Sequence, residues 1–198
     1  MSKRKMPFPI LLGIILIGLS LLFMLGFQMR MMISNQKCQQ IATQMAAILP
    51  ERSQGVVDAA PKMPMPALEL DGQDYVALLE VPAYGLTLPV TNQWKSGSFL
   101  SLPGRFWGSV YDGPLVIGGA DDPSQFGFCA TISHGTPIFI TDMTGARFSY
   151  EVVRIDRAGH AQSQWLMKPE YDLTIFCRDA YSLEYIAVRC VFSYRSET

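Results

Sequence analysis

The sequence beyond Asp71 is a series of short apolar runs separated by turn-forming residues. Several short runs at this spacing are typical of the strands of a β-barrel or a β-sandwich. The segment 143–146 lies between two runs and can form a hairpin turn, with Gly145 supplying a positive φ. The sequence therefore predicts a compact, mostly β domain over residues 74–198, with short helical turns at 98–105 and 125–133. The predicted strands are residues 75–81, 86–90, 115–117, 138–141, 148–155, 173–176 and 185–192.

The first 28 residues have the pattern of a membrane anchor. A basic tail over residues 1–5 precedes an uncharged run at 6–27. As a helix rising about 1.5 Å per residue, this run would cross the roughly 30 Å hydrocarbon core of a bilayer. We therefore predict a cytosolic tail at 1–5, a single transmembrane anchor at 6–28 and an extracellular β domain at a cell membrane. A cleaved signal peptide is the alternative, but the run is longer than a usual signal core and no small-x-small cleavage site follows it before Arg30.

Two segments connect the predicted anchor to the β domain. Residues 29–50 are rich in Met, Gln, Ala and Ile, which favours an extracellular helix that Pro50 ends. Residues 51–73 contain prolines and little apolar periodicity, which is typical of an extended linker. The linker would allow the β domain to stand away from the bilayer.

Charge and cysteine spacing argue against several functions. Three of the 16 Lys and Arg residues lie in the tail, which leaves thirteen against 17 Asp and Glu, a net charge of about −4. Nucleic-acid binding therefore has no electrostatic basis. Cys38, Cys129, Cys177 and Cys190 show neither metal-ligand spacing nor a CxxC pair, so no metal and no cofactor are predicted. In a hairpin turning near 180–182, Cys177 and Cys190 lie too far apart for the roughly 5.5–6 Å Cα spacing of a disulfide, so we expect free thiols.

Six short motifs along the β domain are individually loose, but their order along the chain is informative. They are Tyr-Val-Ala-Leu-Leu-Glu-Val-Pro at 75–82, Tyr-Gly-Leu-Thr-Leu-Pro-Val at 84–90, Pro-Leu-Val-Ile-Gly-Gly at 114–119, Gly-Thr-Pro-Ile at 135–138, Phe-Ser-Tyr-Glu-Val at 148–152 and Tyr-Asp-Leu-Thr-Ile-Phe at 171–176. Together they resemble the sortase family, the cell-surface cysteine transpeptidases of Gram-positive bacteria, and look nearest to class B. The resemblance covers about residues 74–194. It implies a mostly β fold, a sortase-like closed β-barrel with short helices, preceded by the transmembrane helix.

The resemblance also implies a chemistry. In sortases a cysteine attacks the carbonyl of a sorting-signal peptide, a histidine protonates the leaving amine, and an arginine stabilises the oxyanion. An amine on a second substrate then resolves the thioacyl enzyme. The implied partners are a sorting-signal peptide, a wall fragment or another surface protein.

Two of the family's catalytic positions are replaced in this chain. The family has a Gly-His pair where this chain has Gly119 and Ala120, and a methyl group cannot transfer a proton. The family arginine matches Tyr185, or Glu184 if the register shifts by one residue. Arg189 lies four residues further along at about 3.3 Å each, and is expected to be a surface charge of the strand.

The nucleophile position depends on strand register. Sortase strands commonly run Asp-Leu-Thr-Leu-Phe-Thr-Cys, so an ungapped match to 172–176 places Cys177 at the threonine and Arg178 at the nucleophile. Because side chains alternate along a strand, this offset turns Cys177 away from the groove and makes it an inert thiol. A bulge or a deletion before Cys177 would restore it as the nucleophile, and Arg178 could then supply nearby positive charge.

Few residues could replace the missing proton donor. Of the two histidines, His160 precedes the 171–176 strand on a connection that passes the groove in sortases, and is the better candidate. His134 and the pair Asp121 and Asp122 are expected to be turn residues. Calcium, which some sortases use, has no evident carboxylate cluster. The groove is expected to be lined by Trp165, Phe176 and Tyr181.

Three functions follow from these observations. The leading interpretation is a membrane-anchored sortase-like protein that has lost transpeptidation and serves as an accessory or binding domain at the cell surface. The second is an active cysteine transpeptidase or peptidase that uses Cys177, with His160 or an acidic residue as the acid. The third is an unrelated anchored β-domain for protein–protein interaction.

Overall fold

A computed structural model describes residues 8–49, 53–54, 64–95, 102–160 and 162–193. The chain divides into two compact units, Met1–Lys37 and Cys38–Thr198. The predicted tail at 1–5 and the middle of the predicted linker lie outside the described residues.

The helix α1 (Phe8–Ile48) begins in the first unit. It includes nearly all of the predicted anchor and of the predicted helix at 29–50, which contains no glycine or proline before its end. Apolar side chains along its first part are exposed, including Ile10, Leu16 and Phe23. In the part of the chain that the structure describes, no helix combines the length and apolar character needed to cross a membrane. The transmembrane helix predicted at 6–28 is therefore not supported.

The second unit is a closed β-barrel. The strands are β1 (Ser53–Gln54), β2 (Leu68–Leu70), β3 (Gln73–Val81), β4 (Leu86–Thr91), β5 (Gly104–Trp107), β6 (Leu115–Gly118), β7 (Pro137–Asp142), β8 (Ala146–Ala158), β9 (Leu173–Arg178) and β10 (Tyr185–Phe192). Eight of them close the barrel in the order β8, β10, β9, β6, β5, β4, β3 and β7, with β7 pairing back onto β8. The two short strands β1 and β2 pair with β8 and β3 respectively.

The helices of this unit are short. Two 3-10 turns span Pro82–Tyr84 and Gly127–Ala130, and α2 (Ser163–Leu166) lies in the connection between β8 and β9. The predicted mostly β, closed-barrel fold with short helices is thus confirmed. The hairpin predicted at 143–146 is present, and Gly145 has φ +85°.

Three strands, β1, β2 and β5, are absent from the predicted set, and β1 and β2 lie in the segment 51–73 that was predicted to be an extended linker. Of the helical turn predicted at 98–105, residues 98–101 lie outside the described residues. Gly104 does not continue such a turn but begins β5, where it pairs with Thr91 of β4 and with Gly118 of β6. A Cβ at Gly104 would lie 2.6 Å from the backbone of Trp94, so the close approach requires glycine there. Tertiary contacts determine the extended conformation of β5, because its four residues are too few to show a periodic pattern in the sequence.

Most of the core lies inside the barrel, and β9 shows how the interior is filled. Leu173, Ile175 and Cys177 belong to the interior cluster, whereas Phe176 belongs to a second cluster on the outer face. Both faces of this strand are therefore buried until Arg178, where exposure begins. On another side of the unit, Met45 of α1 packs with Tyr75 and Leu78 of β3.

Candidate functional site

The candidate site lies where β6, β9 and β10 end side by side. β6 and β9 are parallel, with Gly118 opposite Phe176, and the ladder continues one step further through Gly119 N donating to Phe176 O at 3.1 Å. β9 and β10 are antiparallel, with Arg178 opposite Tyr185. Ala120, two residues beyond Gly118, therefore reaches the same edge. We call Ala120, Arg178 and Tyr185 the strand-end site; these positions, which the resemblance singled out, are brought together by the fold.

The register of β9 fixes which side chains enter this site. Against β10 the pairing runs without a shift from Cys190 opposite Leu173 to Tyr185 opposite Arg178, and against β6 it is also continuous. No bulge is present in β9 that would move Cys177 to the other face. Cys177 is 1% exposed and belongs to the barrel interior, whereas Arg178 is exposed.

The thiol of Cys177 lies among other buried groups. It donates a hydrogen bond to Phe126 O at 3.6 Å. A second hydrogen bond links Cys177 to Cys129, whose pKa is raised well above its ordinary value by burial first and then by this contact. Burial likewise raises the pKa of Cys190. All four cysteines are free, and the thiols of Cys129 and Cys190 stay protonated, whereas a nucleophile needs a thiolate in an accessible, electropositive setting.

Ala120 is held by its backbone. Its N–H donates to Gln125 Oε1 at 3.4 Å, and its carbonyl accepts from Phe126 N at 3.0 Å. The next residue, Asp121, accepts a hydrogen bond from Ala180 N at 2.9 Å and so links the loop after β6 to the loop after β9. Asp122 accepts from Ser124 N at 2.8 Å, as a turn-forming aspartate does.

Arg178 supplies the positive charge of the site. Its Nε donates to Leu183 O at 3.2 Å, and its guanidinium carbon lies 5.9 Å from the ring centroid of Tyr185. Asp179, its neighbour, accepts from Tyr181 N at 2.8 Å and Ser182 N at 2.9 Å, and these backbone donors lower the pKa of that carboxyl. Asp179 also pairs with Arg157 at 3.4 Å rather than with Arg178.

Next to the strand-end site the outer face of the barrel is filled by aromatic rings. Trp94, Phe106 and Phe176 contact one another edge to face, with ring centroids 5.0–5.9 Å apart. They cover Gly118, where a Cβ would lie 2.7 Å from the Phe176 ring and 2.8 Å from Trp94. Phe176 was expected to line a groove, but at 1% exposure it is the buried centre of this cluster. Of the other expected lining residues, Trp165 is half-buried and Tyr181 is 97% exposed.

Arg189 is fully buried, so its expected role as a surface charge is wrong. Its Nη1 donates to Leu166 O at 2.9 Å and to Thr174 Oγ1 at 3.1 Å, and its Nε contacts Asp156 Oδ2 at 3.2 Å. The Trp165 ring centroid lies 4.9 Å from its guanidinium carbon. Burial lowers the pKa of Arg189, and Asp156 opposes that shift. Arg189 therefore holds α2 against the outer face of the barrel.

The two histidines are not joined to Cys177. His160 is exposed in the connection that follows β8, and His134 is exposed in the turn before Gly135. The sulfur of Cys177 lies inside the barrel, with Phe126 O and Cys129 as its partners. A cysteine and a base must lie within hydrogen-bonding reach to act together, and the fold does not bring these residues together.

One pocket was not anticipated from the sequence. An open cavity of about 480 Å³ lies beside β5 and the segment that follows β4, and its lining includes Asn92, Arg105, Trp107 and Asp112. Arg105 is committed to Asn92 Oδ1 at 2.5 Å and to Gly108 O at 3.2 Å. Within the described residues no group of three or more His, Cys, Asp and Glu is placed to hold a metal ion.

Solved structures identify the fold. The chain matches sortase A from Corynebacterium diphtheriae with a TM-score of 0.53 at 20% identity over 61% of each chain. It matches a Clostridium perfringens sortase D5 transpeptidase with a TM-score of 0.53 at 18% identity, over 61% of this chain and 79% of that one. It matches C. perfringens sortase C, solved with the C-terminal cell wall sorting motif, with a TM-score of 0.52 at 16% identity, over 61% of this chain and 71% of that one.

These likenesses show that the barrel has the sortase fold. The match covers less than two thirds of the C. diphtheriae sortase A chain. No family model matches the sequence, and no curated protein matches it. The expected likeness to class B stays a prediction.

Proposed function

We propose that this chain is a sortase-fold domain that binds a peptide segment of a partner and does not catalyse transpeptidation. One observation carries the proposal: the outward position at the end of β9 is occupied by Arg178, while the sulfur of Cys177 lies inside the barrel. A guanidinium is a cation that cannot be deprotonated in a protein, so Arg178 can bind but cannot attack a carbonyl.

The other members of the strand-end site support the same conclusion. Acyl transfer to a thiol needs an accessible thiolate, a proton donor for the leaving amine and a donor for the oxyanion. Ala120 offers no proton, and Tyr185 offers only a neutral hydroxyl. Groups that act as a catalytic unit lose orders of magnitude in rate when one is removed. Three replacements in one cluster argue for binding rather than turnover.

Peptide binding is supported by the fold and by exposure. C. perfringens sortase C, which shares the fold, was solved with a cell wall sorting motif. In this chain, the loop beside Arg178 presents Tyr181 and Leu183 to solvent, at 97% and 56% exposure. An exposed aromatic and an exposed aliphatic side chain beside a cation are suited to a peptide more than to a small apolar ligand.

The proposal is tested with a fluorogenic sorting-signal peptide and an amine acceptor, followed by mass spectrometry of the protein. We expect the wild type and Cys177→Ala to give the same background and no thioacyl adduct. The matched gain-of-function variant is Ala120→His/Arg178→Cys/Tyr185→Arg, which places the three reactive groups at the strand-end site. An adduct on residue 178 of this variant would support the geometry. An adduct on wild-type Cys177 that disappears in Cys177→Ala would refute the proposal.

Localisation at the outer face of a cell membrane is a separate proposal. Its support is the basic tail, the uncharged run at 6–27 and the exposed apolar side chains in α1. Fractionation compares the full chain with a chain that starts at Cys38. Recovery of both forms in the soluble fraction would contradict it.

A further inference from the structure

The loop between β9 and β10 forms an exposed surface beside the strand-end site. Arg178 is exposed at the end of β9, and the loop places Tyr181 and Leu183 in solvent with little burial. Leu183 has φ +62°, a left-handed conformation that leucine rarely adopts. Such strain persists only where surrounding contacts impose it, and it is concentrated at binding and catalytic sites.

The contacts that impose this conformation also orient the guanidinium. Leu183 N donates to Asp179 O at 3.0 Å, and Leu183 O accepts from Arg178 Nε at 3.2 Å. The ring of Tyr185 lies under the same guanidinium at 5.9 Å. In the described part of the chain, the two terminal nitrogens of Arg178 have no hydrogen-bond or ion-pair partner. A guanidinium fixed through Nε with its terminal nitrogens available can receive a carboxylate by two parallel hydrogen bonds.

The acidic side chains nearby are engaged elsewhere. Asp121 accepts from Ala180 N, and Asp179 accepts from two backbone N–H groups and pairs with Arg157. Glu184, which precedes Tyr185, is half-buried and is the remaining carboxylate of the loop. Arg157 is a second exposed cation here, but it pairs with Asp179, so among the described residues Arg178 is the cation of this surface whose terminal nitrogens are available. Glu184 is the group that would compete with an incoming anion.

We propose that Arg178, Tyr181 and Leu183 bind a peptide through one carboxylate that lies next to an apolar side chain. The carboxylate is that of an Asp or Glu side chain or of a free C-terminus, and both would contact the guanidinium in the same way. The apolar neighbour packs on Tyr181 and Leu183. This inference rests on the proposed binding function and adds the chemistry of the ligand.

The test is a selection from displayed random heptapeptides, made in two formats, with free C-termini and with amidated or embedded C-termini. The protein is the full chain, as wild type, Arg178→Gln, Arg178→Glu, Glu184→Gln and Arg154→Gln. Arg154 is the matched control because it is an exposed arginine on β8 whose side chain is 60% exposed. Thermal unfolding of each variant establishes that it is folded.

Enriched peptides are then measured individually by fluorescence anisotropy. We expect wild type and Arg154→Gln to enrich an acidic residue at one position, or free C-termini only, which distinguishes the two carboxylate sources. Arg178→Gln should weaken these peptides by about five- to tenfold, as for one charge-assisted hydrogen-bonded pair near the surface. Arg178→Glu should enrich Lys or Arg at the same position, and Glu184→Gln should strengthen acidic peptides.

Two outcomes would overturn the inference, and only the second would also overturn the proposed binding function. If wild type and Arg178→Gln enrich the same peptides without acidic preference, the carboxylate site is wrong while the proposed binding function stands. If the folded wild type enriches no peptide in either format, the proposed binding function fails together with the inference.

Discussion

Replacing Arg189 with methionine should destabilise the barrel by several kcal/mol. Arg189 is completely buried, and its guanidinium donates to Leu166 O, Thr174 Oγ1 and Trp165 O as well as to Asp156. Arg189→Met keeps an apolar side chain of similar length but removes every one of these donors. The carbonyls of α2 and the carboxylate of Asp156 then lose their buried partner.

The magnitude follows from what remains after the change. Breaking a buried ion pair by removing one partner costs about 3–5 kcal/mol. Asp156 retains Arg154 at 2.6 Å and Lys168 at 3.9 Å, so its carboxylate is not left alone. The lost hydrogen bonds to backbone and hydroxyl contribute about 0.5–1.5 kcal/mol each. We therefore expect a loss of about 3 kcal/mol, near the lower end of the range for broken buried pairs.

The assay is equilibrium unfolding in urea, with hydrogen exchange of the amides in α2 as a local readout. Arg154→Met is the matched control, because Arg154 also pairs with Asp156 but is exposed, and ion pairs of exposed side chains contribute little to stability. We expect exchange of the Leu166 and Met167 amides to accelerate in Arg189→Met alone. If Arg189→Met is no more destabilising than Arg154→Met, the assignment of Arg189 as the residue that holds α2 is wrong.

Two further predictions concern the loop and the buried thiols. Leu183→Gly should stabilise the protein by about 0.5–1 kcal/mol, because glycine removes the strain of φ +62° at some cost in unfolded-state entropy. Leu183→Ala keeps the strain and should not stabilise the protein. Thermal unfolding compares the two variants, and equal midpoints would contradict the strain argument. Above pH 9 the unfolded Cys129 thiol ionises while burial keeps the folded one protonated, so the folded state binds more protons and stability falls as pH rises. The free energy of unfolding should therefore decline more steeply above pH 9.0 in wild type than in Cys129→Ala, and parallel declines would count against a raised pKa.

The sequence predicted those parts of the fold that have a local signal. Strand runs such as 148–155 and 185–192 were found because alternation and turn residues mark them. Their spacing fits a barrel or a sandwich equally, and the closed barrel was implied by the resemblance of the motifs to sortases. β5 was missed because Gly104 and its neighbours have no period, and their conformation depends on pairing with Thr91 and Gly118. A four-residue strand fixed by tertiary pairing is not visible in local pattern.

The candidate site likewise has parts that could be predicted from the sequence and parts that could not. The meeting of Ala120, Arg178 and Tyr185 could be anticipated, because the resemblance to sortases matches each of these positions to a catalytic residue of one shared groove. The burial of Arg189 could not, since it depends on α2 folding back over β10 and offering the carbonyls of Trp165 and Leu166. The local sequence around an arginine in a strand does not indicate that a helix more than twenty residues away in the sequence will bury it.

The strand-end site could change its chemistry while the barrel stayed intact, and the burial pattern gives the reason. Cys177 is part of the interior packing, so replacing it would open a cavity whose cost depends on how far the core can relax. Arg178 lies one residue further on, where the strand leaves the core and exposure begins, so its identity contributes little to folding. Ala120 is likewise held by backbone hydrogen bonds that any residue except proline would make. Stability therefore constrains the inward residues of β9 and leaves the exposed residue at its end free to vary. A barrel of the sortase fold can for this reason place an arginine where transpeptidation needs a thiolate.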